Sequence, residues 1–165
     1  MLITIVSTLM LMLAYFLLLY GAVGFIQDKR FFSSAPKENL AVIPDKKERF
    51  RGAHVIGWAI VVFAVLLFIG AFALGIWDGA RNQFGALKFF ARFITMLYLM
   101  EIYDILFFDW YLLCRSNFFI HFYPELKSVD RSHFFGYNKK EHIMHFITYI
   151  PVCAGLALGC GVLFS

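Results

Sequence analysis

The chain has 165 residues, of which 61% are hydrophobic and only 16% are Asp, Glu, Lys or Arg, and its net charge is +4. A soluble domain usually contains about 25% charged and about 45–50% apolar residues. This composition argues against a soluble globular domain, a disordered tail or a nucleic-acid-binding module, and it predicts an integral membrane protein whose main partner is the lipid bilayer.

Four apolar runs are long enough to span a bilayer. Crossing a hydrocarbon core of about 30 Å takes roughly 20 apolar residues in a helix, and these runs are too continuous for barrel strands. The length of the first run favours a retained signal anchor over a cleaved signal peptide. The sequence therefore predicts an all-α bundle that forms one transmembrane domain over residues 1–165, with helices at about 2–25, 52–77, 89–113 and 143–164.

The distribution of Lys and Arg predicts the orientation of this bundle. Twelve of the 15 basic residues lie in the loops after the first and third predicted helices, at about 27–51 and 114–141. These two loops are expected to be cytoplasmic, which places both termini outside. Aromatic side chains mixed with Lys and Arg favour the headgroup region. The second loop is therefore expected to lie on the membrane surface through Phe118, Phe119, Phe122, Tyr123, Phe134, Phe135 and Tyr137.

Three acids inside the third predicted helix require an explanation. Glu101 is the midpoint of that span, where a charge costs roughly 2.5–3.5 kcal/mol on insertion scales. Asp104 is its neighbour on a helix, so both can contact one ion or proton, and Asp109 lies about 12 Å nearer the cytoplasm. Tyr98 and Arg115 project on the same broad face, which predicts a proton- or cation-binding site. The alternatives are a hydrogen bond from a protonated acid to a neighbouring helix and, for Asp109, an ion pair with Arg115.

The histidines suggest a second kind of site. His142 and His145 are three residues apart at the start of the fourth helix, and His54 begins the second helix at the same predicted depth. Together with a carboxylate such as Asp109, His142 and His145 would form a metal site. A haem held by His54 and one of these histidines is a further alternative. Neither arrangement has a diagnostic spacing, so the identity of any cofactor stays open. Three residues of the second loop are either further ligands or ordinary surface groups: His121, Glu125 and His133.

Three short stretches between residues 98 and 145 resemble a known group of proteins. The stretches are Phe107-Phe108-Asp109-Trp110, Phe122-Tyr123-Pro124-Glu125 and Gly136-Tyr137-Asn138-Lys139-Lys140. They are similar to those of uncharacterised small bacterial four-pass integral membrane proteins. The resemblance implies a bacterial inner-membrane protein. It implies no activity and transfers no functional residues.

Three functional hypotheses follow. The first is proton- or cation-coupled transport, or a transporter subunit, in which Glu101 and Asp104 bind the ion and Asp109 relays it towards the cytoplasm. Four helices are few for a complete path, so a homo-oligomer or a larger membrane complex is expected. The second is a membrane metalloenzyme or redox subunit with His142, His145 and Asp109 as ligands at the cytoplasmic face. The third is a non-catalytic subunit whose acids pair with basic residues of another protein's helix.

Overall fold

The computed structural model describes residues 1–28, 36–44, 46–131 and 134–164. Two basic residues of the first loop, Lys29 and Arg30, and the loop residue His133 lie outside this part of the chain. The described residues form helices and connecting segments, with no strand among them. The predicted all-α fold is therefore confirmed for the part of the chain described.

Helices of very different length follow one another along the chain. Two of them, α1 and α4, change from α-helical to π-helical winding before they end. The elements are α1 (Leu2–Gly21) with its π-helical extension (Ala22–Ile26), α2 (Lys37–Val42), α3 (Ala53–Arg81), α4 (Ala86–Tyr103) with its π-helical segment (Asp104–Arg115), α5 (Phe118–Phe122), a 3₁₀ turn (Pro124–Ser128) and α6 (Lys139–Phe164).

Three helices are long and apolar enough to cross a membrane: α1 with its extension, α3 and α6. They coincide with the first, second and fourth predicted spans. The third predicted span is also helical, since α4 and its π-helical segment run without a break from residue 86 to 115. This segment carries several charged residues and does not share the apolar composition of the other three helices, so its crossing of the membrane stays a prediction.

The outer surface of the bundle is apolar and its interior contains many small residues. Along α3, large aliphatic side chains point outwards at Val55, Val62, Leu66 and Ile69, while α3 buries Gly57, Ala64, Ala71 and Gly75. Soluble monomers rarely expose apolar patches of this extent. Lipid covers such surfaces without cost, so the burial pattern agrees with the composition.

Small residues allow the helices to approach one another closely. The α1 helix contacts α3 and α4, and α4 packs along α6. A Cβ atom at Gly57 would lie 2.7 Å from Cγ1 of Ile26, and one at Gly79 would collide with the ring of Phe89. Close packing of helix backbones through small residues is a common means of association in membranes.

A buried ion pair joins α3 to α4 at the end of the bundle that contains the N-terminus of α4. Nη2 of Arg92 lies 2.6 Å from Oδ2 of Asp78, and Nη1 donates a hydrogen bond to the carbonyl of Gly75. The guanidinium group also lies 4.5 Å from the ring centroid of Phe84. These contacts let an almost fully buried arginine remain charged within a largely apolar interior.

The two Lys- and Arg-rich loops contact each other at the opposite end. Nζ of Lys46 lies 3.2 Å from Oε2 of Glu125 and donates a hydrogen bond of 3.0 Å to the carbonyl of Phe122. A hydrogen bond from its own backbone and the contact with Lys46 lower the pKa of Glu125, while burial raises the pKa of Tyr123. Glu125 is therefore part of a contact between the loops.

The aromatic loop divides between interior and surface positions. Tyr123 and Phe134 are buried, whereas Phe135 and Tyr137 are exposed. Tyr123 and Leu126 form a small core with residues of α1 and of the first loop. The sequence could not separate these positions, because the loop contains aromatic side chains at nearly every turn.

Candidate functional site

The π-helical segment of α4 sets the direction of its acidic side chains. In an α-helix, residues five apart are about 140° apart around the axis. In a π-helix, hydrogen bonds join residues five apart, so such residues lie about one turn apart on the same side. The bond of 2.7 Å from the amide of Ser116 to the carbonyl of Tyr111 has this spacing. Asp104 and Asp109 are five apart, and the π-helical winding brings both to the side that faces α6.

Glu101, in the last α-helical turn before this segment, is the centre of the site. Its side chain is only 2% exposed. Oε1 lies 2.7 Å from Nδ1 of His142 and 3.0 Å from Nδ1 of His145. Oε2 accepts a hydrogen bond of 2.8 Å from the hydroxyl of Tyr149. One face of α6 therefore supplies all three contacts to a single carboxylate of α4.

His142 lies between carboxylates on both sides of its ring. Nε2 is 2.7 Å from Oδ2 of Asp109, and Nδ1 is 3.9 Å from Oδ2 of Asp104 in addition to its contact with Glu101. A ring nitrogen that meets an ionised carboxylate must carry a hydrogen. His142 is therefore doubly protonated, or a neighbouring carboxyl group keeps its proton, or a metal ion replaces the hydrogen on Nδ1.

The donor atoms fit a shared metal ion. One oxygen of Glu101 and one nitrogen each of His142 and His145 lie within 4.8 Å of one another. Ligands about 2.0–2.2 Å from one ion, at angles of 90–110°, lie about 2.8–3.6 Å apart. Of the two distances to Oε1, the 3.0 Å to His145 lies within this range and the 2.7 Å to His142 lies just below it. Histidine ligands of metals usually donate their other N–H to a carboxylate. Asp109 occupies this position beside His142.

The sequence predicted an acidic site and a histidine site separately, and the structure brings them together. Glu101, Asp109, His142 and His145 form one cluster, with Asp104 at its edge. The predicted set of His142, His145 and Asp109 is changed in one respect. Glu101 rather than Asp109 contacts both imidazoles at Nδ1.

Four other candidate residues lie elsewhere. The hydroxyl of Tyr98 donates a hydrogen bond of 3.0 Å to the carbonyl of Phe146, so it joins α4 to α6. Arg115 is exposed and lines a separate depression next to Trp110. His54 is exposed at the start of α3 and, among the described residues, does not belong to the cluster that contains Glu101. His121 is also exposed, and its ring contacts Phe122.

Two tyrosines of the site were missed by sequence analysis. Tyr149 is seven residues after His142, so helical periodicity could have placed it on the same face of α6. Tyr15 comes from α1, where its hydroxyl lies close to the carboxylate of Asp104 and its ring lies 5.0 Å from that of Phe108. No pattern in the sequence connects α1 with these acids.

A cavity of about 420 Å³ opens next to the cluster. Sites for small molecules usually have volumes of about 300–1,000 Å³. The cavity has a polar wall from α4 and α6 and an apolar wall from α1 and the two loops. The polar wall contains Asp104, Asp109, Asn138, Glu141, His142 and His145, and the apolar wall contains Leu18, Leu19, Ile43, Phe119 and Leu126.

On the side of Glu101 that faces away from the loops, a layer of apolar side chains fills the bundle. The layer consists of Phe93, Met96, Leu97, Met100, Cys153 and Ala157. It separates the cluster from the ion pair of Arg92 and Asp78. The cluster is therefore reached from the side of the loops.

Comparisons with protein-family models, with curated proteins and with solved structures found no match for this chain. The chemistry of the site therefore has to be inferred from its own residues.

Proposed function

We propose that this chain is a four-span integral membrane protein that binds one divalent transition-metal ion and uses it for catalysis. The ligands are Glu101, His142 and His145, and Asp109 orients the imidazole of His142. One observation carries the proposal. Nδ1 atoms of two histidines converge on one oxygen of Glu101, while the far nitrogen of His142 meets a second carboxylate.

The number of ligands favours a catalytic ion over a structural one. Structural zinc sites are closed by four protein ligands, whereas catalytic sites keep three and leave a position for water or substrate. Two histidines and one carboxylate are also the ligands of many iron(II) oxygenases. The cavity beside His142 and His145 gives the open position room for a substrate. A bound ion would supply Lewis acidity or an activated water molecule.

Cation-coupled transport is the second candidate. The depth of Glu101 within α4 and its burial support it, because buried acids at mid-membrane often mark ion pathways. The apolar layer beyond Glu101 would have to open for an ion to pass. We therefore favour catalysis at the loop side over transport through the bundle.

The position and the assembly of the protein are part of this proposal. The excess of Lys and Arg in the loops supports cytoplasmic loops and external termini, and the resemblance supports a bacterial inner membrane. Among the described residues, no side chain or neighbouring helix lies within 4 Å of where a Cβ atom of Gly155 or Gly159 would be. This small-residue strip supports a homo-oligomer or a larger complex. Pairing of Glu101 with a basic helix of another protein is less favoured, since His142, His145 and Tyr149 already contact it.

Metal analysis of the purified protein in lipid nanodiscs tests the proposal. We expect about one equivalent of zinc or iron per chain after reloading, because three donor atoms converge on one position. Glu101→Gln and His145→Ala should each lose the metal while keeping the helical circular-dichroism spectrum.

His121→Ala, which removes an exposed histidine outside the cluster, is the matched control and should keep the metal. A wild-type protein that retains neither ion after reloading would exclude the proposed function. Metal-dependent flux of the ion into proteoliposomes would favour the transport candidate instead.

A further inference from the structure

We propose that the cavity beside the cluster binds a single-chain amphiphile whose head donates hydrogen bonds and carries no negative charge. The inference rests on the proposed function in one respect, since the head would lie beside His142 and His145, two of the proposed metal ligands that line the cavity. The class of ligand follows from three properties of the cavity wall.

The first property is the separation of polar and apolar surface. The acids and imidazoles that line the cavity all come from α4 and α6, and most of its aliphatic and aromatic side chains come from α1 and the loops. A fully polar solute would leave the apolar wall against water, and a hydrocarbon would leave the acids without partners. A molecule with one polar end and one apolar chain satisfies both walls.

The second property is a pair of buried acceptors. Oδ1 of Asn39 and Oδ1 of Asn138 are buried and, among the residues that the structure describes, have no hydrogen-bond partner. Both residues line the cavity, and Asn39 is only 4% exposed. Buried polar atoms are nearly always paired. Two unpaired acceptors therefore call for a ligand with donors, such as hydroxyl or ammonium groups.

The third property is the charge of the polar wall. Asp104, Asp109 and Glu141 line the cavity, and no Lys or Arg does so among its described lining residues. A divalent ion at Glu101 would offset part of this negative charge without reversing it. An anionic head would be repelled, whereas a hydroxylated or cationic head would not.

Three probes with the same alkyl chain separate these chemistries. Octylglycerol has hydroxyl donors, octylammonium has a cationic donor, and nonanoate has an anionic head. The protein is loaded with Co²⁺ in nanodiscs, so that the visible spectrum reports ligands near the ion and the melting temperature reports binding to the folded state. We expect octylglycerol to saturate both signals and octylammonium to saturate the melting-temperature signal, each at a concentration about tenfold or more below that of nonanoate.

Asn39→Leu removes one acceptor and should weaken binding of the better probe by about tenfold. It should raise the melting temperature of the ligand-free protein, because an unpaired buried acceptor is lost. Asn117→Leu, at an exposed position outside the cavity, is the control and should leave binding unchanged.

Binding of nonanoate as tight as that of the other probes would overturn the inference, and so would an unchanged affinity in Asn39→Leu. Failure of both donor probes to bind would overturn it as well. If Co²⁺ binds but no probe changes its spectrum or the melting temperature, the proposed ligand class is wrong and the proposed metal site stands. If a probe raises the melting temperature of protein that does not bind Co²⁺, the proposed metal site is wrong and the ligand class stands.

Discussion

His142 is the residue on which the proposed metal site depends most. Its two ring nitrogens face different carboxylates, Glu101 at Nδ1 and Asp109 at Nε2, each at 2.7 Å. If a metal occupies Nδ1, the hydrogen on Nε2 is fixed towards Asp109. The two acids then have different roles, because Glu101 is a ligand and Asp109 is a positioning residue.

Asp109→Asn tests this division of roles. The amide keeps the size of the side chain but loses the charge that orients His142, so we expect the affinity for Zn²⁺ to fall by about 10–100-fold. Competition with a chelator of known affinity gives the measurement. Glu125→Gln, which removes a carboxylate in the loops, should leave the affinity unchanged. A loss as complete as that of His145→Ala would instead make Asp109 a ligand.

At the scale of elements, α4 has different structural roles at its two ends. Its N-terminal part is joined to α3 by Arg92 and Asp78, and its C-terminal π-helical part presents the acids to α6. The ion pair holds α4 against α3. The π-helical winding then decides which side chains meet α6.

Arg92→Met should destabilise the protein by about 3–5 kcal/mol, because it leaves the carboxylate of Asp78 without its cation in a partly buried position. The double variant Arg92→Met and Asp78→Leu should recover much of this loss, since no charge remains unpaired. Unfolding in mixed micelles measures both. Lys88→Met on the exposed face of the same helix should cost less than about 1 kcal/mol. Equal losses in the single and the double variant would contradict the argument.

At the scale of the whole molecule, the bundle has two different ends. The loop end contains the cavity, the acids and the histidines, and the other end contains the apolar layer and the ion pair of Arg92 and Asp78. A site that opens on one side suits chemistry on molecules from that side of the membrane or from its adjacent leaflet.

Labelling of single cysteines tests the proposed orientation. In a variant with Cys114, Cys153 and Cys160 replaced by Ala, a new cysteine is placed by Lys47→Cys or by Asn82→Cys. An impermeant maleimide should label intact cells only at position 82, because the proposed orientation keeps the Lys- and Arg-rich loops in the cytoplasm. Permeabilised cells, the control, should be labelled at both positions. The opposite pattern in intact cells would reverse the topology.

Much of the fold follows from the sequence because lipid imposes a simple rule. Long apolar runs must become helices, and three of the four predicted spans are helices with the required length and composition. The acids of the third span also stood out, since charges within an apolar run are costly. Glu101 could therefore be named from the sequence, and His142 and His145 could be named from their spacing at the start of the fourth helix.

The geometry that joins these residues came only from the tertiary structure. Ideal α-helical spacing places Asp104 and Asp109 about 140° apart, and the π-helical segment brings them to one side. The pairing of α4 with α6 likewise depends on packing between distant parts of the chain, as does the contact of Tyr15 with Asp104. Composition determined that this chain forms apolar helices, because burial in lipid depends on each segment by itself. Packing alone decided that its acids and histidines share one site, because that depends on how two helices meet.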